Sequence, residues 1–189
     1  LKILLQIKLS MMETSLDILK AKAKKIIYFF SDIDGTLTDG CVYYSTEGEL
    51  LKKFSLRDGT GYFLLRQVGI KTGFITTECS PIVAQRAKKL KIDKYIYGAH
   101  KKVEALRSFL DVEGLSMENV AFIGDELNDV NLLKTCGLSF AVADADIRAK
   151  EVSDIVCSHN GGHGAFREAV ETLLTLRGIS IDNIINESL

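Results

Sequence analysis

The sequence predicts an α/β fold built on a parallel sheet with helices on both faces. Three observations carry that prediction. Short apolar runs recur along the chain, helix-period segments stand between them, and the runs end on residues that ionise or hydrogen-bond. Unbroken apolar strands belong to sheets buried on both sides, and parallel neighbours need a crossover of the kind a helix supplies. With 189 residues, 47% of them hydrophobic, the chain can bury one sizeable core without disulfides.

Ile26 to Ser31 is the first predicted strand, apolar until its final hydroxyl. Gly40 to Phe54 then breaks the rhythm. Val42, Tyr43 and Tyr44 precede Ser45-Thr46-Glu47-Gly48-Glu49, and Leu50 and Leu51 resume the apolar pattern, which reads as a β-hairpin projecting from the first strand's loop. Gly61 to Val68 has helical spacing and leads to a strand at Gly73 to Thr76. Ser80 caps and Pro81 opens the next helix, which runs to Leu90; Ile82, Val83, Ala87 and Leu90 line its apolar face, and Arg86 and Lys89 lie toward one edge. A strand at Tyr95 to Tyr97, a helix at Lys101 to Leu110, a strand at Val120 to Ile123 and a helix at Val130 to Thr135 continue the alternation. Strands at Leu138 to Val142 and Ile155 to Cys157 precede a last helix, Gly164 to Leu176, whose Phe166, Val170, Leu173 and Leu174 form a core stripe. No repeat or long linker marks a second globular unit. Residues 25–177 are therefore expected to form one domain that includes the hairpin at 40–54, with an N-terminal extension at 1–24 and a C-terminal tail at 178–189.

Composition narrows the partners. Lys plus Arg number 24 against 25 Asp plus Glu, with no segregated basic block, so no field is expected to hold a nucleic-acid backbone. Cys41, Cys79, Cys136 and Cys157 match neither paired zinc-ligand spacing nor a disulfide scaffold, and are read as reduced, mostly buried thiols. His100, His159 and His163 likewise form no compact zinc motif. The apolar start, Leu1 to Ser10, is too short to span a bilayer and lacks a small-residue cleavage site; it precedes Met11 and Met12, as an upstream or expression-derived extension would. A cytoplasmic protein with no membrane partner is the expectation.

The chemistry gathers where predicted strands end. Asp32 and Asp34 follow the first strand directly, and a turn at Asp34-Gly35 can bring both carboxylates into one site, in the position where parallel α/β sheets form ligand crevices. Asp125 follows another strand and can complete a hard-cation site with Asp32; Asp129 lies four residues on and can serve from the next turn. Carboxylate and carbonyl oxygens suit Mg2+, and such an ion offsets the repulsion between carboxylates and a phosphoryl group. Thr76 ends a third strand with a hydroxyl able to contact a phosphoryl oxygen. Lys102, near a helix start, offers a cation to that oxygen or to a nucleophilic carboxylate. No GxGxxG or GxxxxGK phosphate cradle is present, which removes the nucleotide-binding and kinase readings.

In this order the residues resemble the haloacid dehalogenase-like phosphatases. Asp32-Ile33-Asp34-Gly35-Thr36 is similar to the first motif, Thr76 to the second, Lys102 to the third and Gly124-Asp125-Glu126-Leu127-Asn128-Asp129 to the fourth. Asp39-Gly40, Arg57-Asp58-Gly59, Ser80-Pro81-Ile82-Val83, Val142-Ala143-Asp144-Ala145 and Gly161-Gly162-His163-Gly164 narrow the resemblance to the capless 3-deoxy-manno-octulosonate-8-phosphate phosphatases and their nonulosonate-9-phosphate relatives, over Lys25 to Leu176. The resemblance implies a three-layer Rossmann-like haloacid dehalogenase fold with no cap domain, and a homotetramer supported by the hairpin. It further implies Asp32 as nucleophile, Asp34 as acid and then base, and Thr76 and Lys102 as stabilisers of phosphoryl charge. Magnesium would be held by Asp32, the Asp34 carbonyl and Asp125, with Asp129 supporting the loop.

Substrate rests on fewer residues. Thr76-Thr77-Glu78 departs from the Thr-Gly-Arg usual in the octulosonate enzymes, and Glu78 with Lys89 resembles the nonulosonate-9-phosphate branch, while Arg86 fits both. A 2-keto-3-deoxy nonulosonate-9-phosphate is accordingly the favoured substrate, Glu78 meeting sugar hydroxyls and Arg86 or Lys89 the carboxylate. The alternatives are octulosonate-8-phosphate and a phosphate-binding or assembly module without turnover. Two further departures are Glu126, where a second Asp is common, and His163, where an Arg is frequent.

Overall fold

In the computed structural model the backbone is described for residues 2–188 and the side chains for 13–186. Six parallel strands form the central sheet in the order β5 (Lys94–Ile96), β4 (Lys71–Ile75), β1 (Tyr28–Ser31), β6 (Val120–Gly124), β7 (Leu138–Ala141), β8 (Ile155–Val156). The chain builds outward from β1 in one direction, then crosses back and builds in the other. The reversal makes the carboxyl end of β1 the topological switch point, where open α/β sheets hold their ligands.

Every residue of β1, β6 and β7 is buried, as strands covered on both faces require. Phe29 stacks on Phe140 of β7 at 5.6 Å between ring centroids and meets Phe166 at 5.2 Å. Phe166 belongs to α7 (Ala165–Leu176), and it stacks at 4.1 Å on Tyr62 of α2 (Leu56–Gln67). The Tyr62 hydroxyl, fully buried, shares a hydrogen bond of 2.9 Å with Ser31, the last residue of β1. The core therefore clamps β1 up to the residue before Asp32.

On the sheet's flanks lie α3 (Pro81–Leu90), α4 (Lys102–Glu113), α5 (Val130–Thr135) and α6 (Ile147–Val152). Ser80 caps α3 through Val83 N–H, with Pro81 in its first turn, as the sequence indicates. The helix α2 begins five residues before the periodic stretch. Its cap is Ser55, whose side chain accepts from the amides of Arg57 and Asp58, and the glycines of Arg57-Asp58-Gly59-Thr60-Gly61 hide the helical period. Six-residue α6 buries one position, Ala149, and so leaves no period to read.

The two terminal segments are helices, α1 (Lys2–Lys25) and α8 (Ile181–Ser188), and both reach the core: Ala23 and Ile184 are buried. The expected hairpin is present as antiparallel β2 (Tyr43–Ser45) and β3 (Gly48–Leu51), and among the described residues no cap domain accompanies it. Cys136 and Cys157 are buried, but Cys41 and Cys79 are exposed, so the expectation of mostly buried thiols holds for half of them.

Candidate active site

The site stands at the carboxyl ends of the adjacent strands β4, β1 and β6. In-register pairing sets Ser31 beside Phe74 and Ile123, so the residues after each strand emerge at nearly one level. Asp32 N–H still bonds the Ile123 carbonyl at 3.0 Å, and Thr76 N–H bonds that of Ile96 at 3.0 Å. Beyond Asp32 the chain turns tightly, with Leu37 N–H donating to the Ile33 carbonyl at 2.8 Å. Gly35 makes this turn possible: its φ is +87°, and a Cβ there would stand 2.0 Å from an Asp125 carboxylate oxygen.

Lys102 and three aspartates form the centre. The Lys102 side chain is 1% exposed, and its ammonium reaches Asp32 at 2.8 Å and Asp129 at 2.6 Å. Burial lowers the ammonium's pKa, but the Asp32 and Asp129 carboxylates outweigh that and hold it above the ordinary lysine range. Asp129 also accepts from the amides of Asp125 and Glu126, at 3.1 and 3.4 Å, so both its oxygens are engaged in shaping the loop. Asp125 accepts from the Thr36 hydroxyl at 2.7 Å. Burial, then the charges of Asp129 and Asp125, push Asp32 well above the usual carboxylate range; burial likewise pushes Asp125 up to about 7.

Asp32, Asp125 and Asp129 each offer an oxygen within 4.8 Å of the others. Three carboxylates against one ammonium leave an excess of negative charge in a largely buried space, and the donors are all hard oxygens. This donor set fits a divalent cation such as Mg2+.

Thr76, 2% exposed, closes the floor beside Asp32, and its hydroxyl accepts from Glu78 N–H at 3.2 Å. A pocket of about 390 Å³ opens above these groups. Asp32, Asp34, Thr76, Glu78, Asp125 and Glu126 all line it. Arg86 and Lys89 stand apart from this lining. The Arg86 guanidinium donates to the Ser55 carbonyl at 3.0 Å and lies 5.3 Å over the Phe54 ring, while Lys89 is exposed on the last turn of α3. Glu126 folds back to accept from its neighbour Leu127 N–H at 2.8 Å, and His163 bonds the Gly161 carbonyl at 2.8 Å.

Two charged residues of the pocket escaped the sequence reading. Lys52 and Glu49, on the hairpin, pair with each other at 3.0 Å; Lys52 also pairs with Asp34, and Glu49 with the Ser80 hydroxyl. Burial lowers the Lys52 ammonium's pKa, and its two carboxylate partners more than reverse this. A lysine inside a short strand pattern looks like a solvated edge charge, and the chain offers no local cue to the contrary.

A haloacid dehalogenase-like hydrolase family model matches residues 78–168. The 3-deoxy-D-manno-octulosonate 8-phosphate phosphatase of Haemophilus influenzae is 37% identical over 162 residues, 86% of this chain and 90% of the relative. The chain belongs to the capless 3-deoxy-D-manno-octulosonate 8-phosphate phosphatase family of haloacid dehalogenase-like hydrolases. It is a phosphatase. Among solved structures, the cobalt-bound Haemophilus influenzae enzyme is 38% identical with a TM-score of 0.80, over 83% of this phosphatase and 92% of that chain. The Moraxella catarrhalis enzyme, in complex with magnesium ion, phosphate ion and KDO, is 34% identical with a TM-score of 0.85, over 90% and 98% of the respective chains. Among the described residues of the phosphatase, no helix is long and apolar enough to cross a membrane.

Proposed function

We propose that this phosphatase hydrolyses 3-deoxy-D-manno-octulosonate 8-phosphate, with Mg2+, through an aspartyl-phosphate intermediate. The observation that carries the substrate is the 37% identity, over most of both chains, to an enzyme named for it. The nonulosonate-9-phosphate expectation leaned on Glu78 together with Lys89 and Arg86, and of these Glu78 alone lines the pocket. An exposed glutamate at the pocket wall is compatible with either sugar acid.

Asp32 attacks phosphorus: one oxygen is held by Lys102, and the other is left for the new P–O bond. Lys102 and the Thr76 hydroxyl meet the charge on the transferring phosphoryl oxygens. Asp34 gives a proton to the departing sugar oxygen, then takes one from the water that opens the aspartyl-phosphate. Asp32, Asp125 and the Asp34 backbone carbonyl would hold Mg2+, with Asp129 fixing the loop between Lys102 and the two amides. When bound, the ion offsets the repulsion between the carboxylates and the phosphoryl group.

The reading extends to assembly and compartment. Tyr44 is 73% and Leu50 60% exposed on the hairpin, with Tyr43 and Leu51 beside them; a homotetramer would cover this apolar surface. Four unpaired thiols are consistent with a cytoplasmic protein. Analytical ultracentrifugation over an active concentration range should show the tetramer, and a monomer throughout would overturn it.

The deciding experiment compares kcat/KM for octulosonate-8-phosphate and a nonulosonate-9-phosphate with Mg2+ present. Preference for the eight-carbon acid supports the proposal, and preference for the nine-carbon acid restores the reading based on Glu78. A folded protein that binds phosphate but releases none from either ester would be a binding module.

A further inference from the structure

The hairpin strand β3 is inverted in polarity. Leu50 and Leu51 face solvent, whereas the next residue, Lys52, has a side chain only 2% exposed; Lys53 returns to solvent at 56%. Folding alone favours the opposite arrangement, because burying an ammonium is costly and burying a leucine is favourable. The buried cation lies between two carboxylates, Asp34 and Glu49, and Glu49 in turn is fastened to Ser80 at the start of α3. Among the described residues no other side chain is hydrogen-bonded to the Asp34 carboxylate. Without Lys52, the Asp34 carboxylate, on a turn beside Gly35, loses the one side-chain hydrogen bond it has among the described residues.

We propose that Lys52 is a positioning residue for the phosphatase reaction, holding the Asp34 carboxyl where it serves the departing oxygen and then the attacking water. Glu49 and Ser80 complete the support, so the hairpin and α3 fix the acid and base from outside its own loop. The proposal rests on the reading of Asp34 as acid and base.

That role separates substrates by leaving group. A sugar alkoxide needs the proton from Asp34, whereas the phenolate of p-nitrophenyl phosphate leaves without one. In Lys52→Met, kcat on the sugar phosphate should fall roughly 10- to 100-fold with little change in KM, the scale on which general acid-base catalysis is lost when a group is misplaced. The first turnover of p-nitrophenyl phosphate, followed by stopped flow with enzyme in excess, should be far less affected. Adding Lys52→Met to Asp34→Asn should cost nothing beyond Asp34→Asn alone. Glu49→Gln, which keeps the lysine but removes its second anchor, should show the same pattern at smaller size, and it carries the test if Lys52→Met does not fold. A rise in KM alone, equal losses on both esters, or additive losses in the double variant would each overturn the proposal. If Asp34→Asn itself fails to distinguish the esters, the acid-base reading falls and takes Lys52 with it. If Asp34→Asn distinguishes them and Lys52→Met does not, only the role of Lys52 is lost.

Discussion

Asp32 and Lys102 form a pair that neither could hold alone in so dry a place. Both side chains are almost fully buried, and Asp129 shares the same ammonium. Replacing Lys102 with Met would strand two buried carboxylates, at a cost of about 3–5 kcal/mol in metal-free protein and with loss of turnover; urea unfolding measures the first and phosphate release the second. Asp32→Asn keeps a similar shape and should retain the fold while abolishing turnover. Near-normal activity from a folded Asp32→Asn protein would remove it as nucleophile. The raised Asp32 and Asp125 give a metal-free protein that these two groups favour at acid pH, because a carboxyl whose folded pKa exceeds its unfolded value loses its contribution as pH rises through the folded value. A cation binds the ionised forms. The increase in Tm on adding Mg2+ should therefore grow as pH is raised through about 7, the value for Asp125, and a pH-independent increase would argue against ligation by these carboxylates.

At the scale of elements, the loop that carries Asp32 and Asp34 is supported from behind by the Gly161-Gly162-His163-Gly164 turn. Gly162 N–H donates to the Thr36 carbonyl at 2.9 Å, and Asp144 accepts from Gly161 N–H at 2.9 Å. A Cβ on Gly161 would fall 1.7 Å from the Gly35 carbonyl oxygen. Gly161→Ala should therefore displace the Asp34-Gly35 turn and lower kcat by roughly 10- to 100-fold, the penalty of a misplacement near 1 Å, while circular dichroism remains native. Unchanged kinetics would show that the turn yields without moving the carboxyls. Asp58 performs a comparable service for α7, accepting from Arg167 N–H at 3.1 Å in that helix's first turn. These landmarks were visible in the sequence as Arg57-Asp58-Gly59 and Gly-Gly-His-Gly, but Asp58 meets Arg167, 109 residues away, and Gly162 meets Thr36 near the other end of the domain. Spacing could mark such residues without saying what they touch.

For the whole molecule, the core is divided between protected and open chemistry. Burial pushes the thiols of Cys136 and Cys157 up to about 12, whereas Cys41 and Cys79 are exposed. A thiol reagent such as DTNB should leave two cysteines unreacted until the protein unfolds, and four fast-reacting thiols would contradict the burial of Cys136 and Cys157. The sequence by itself determined the alternation of strand and helix, the hairpin, and the acidic residues at strand ends, because apolar period and strand-terminal position are local properties of a chain. It also placed Asp32, Thr76 and Asp125 directly after strands, and parallel strands all deliver such residues to the same edge of the sheet. Only the tertiary structure decided that Arg86 turns to Ser55 and Phe54 rather than to this chain's pocket, that both terminal segments pack as helices, and that Lys52 is drawn inward to Asp34. Those outcomes depend on which distant surface lies opposite a side chain, and charge pairing across the fold overrides the solvent preference that the residue shows on its own.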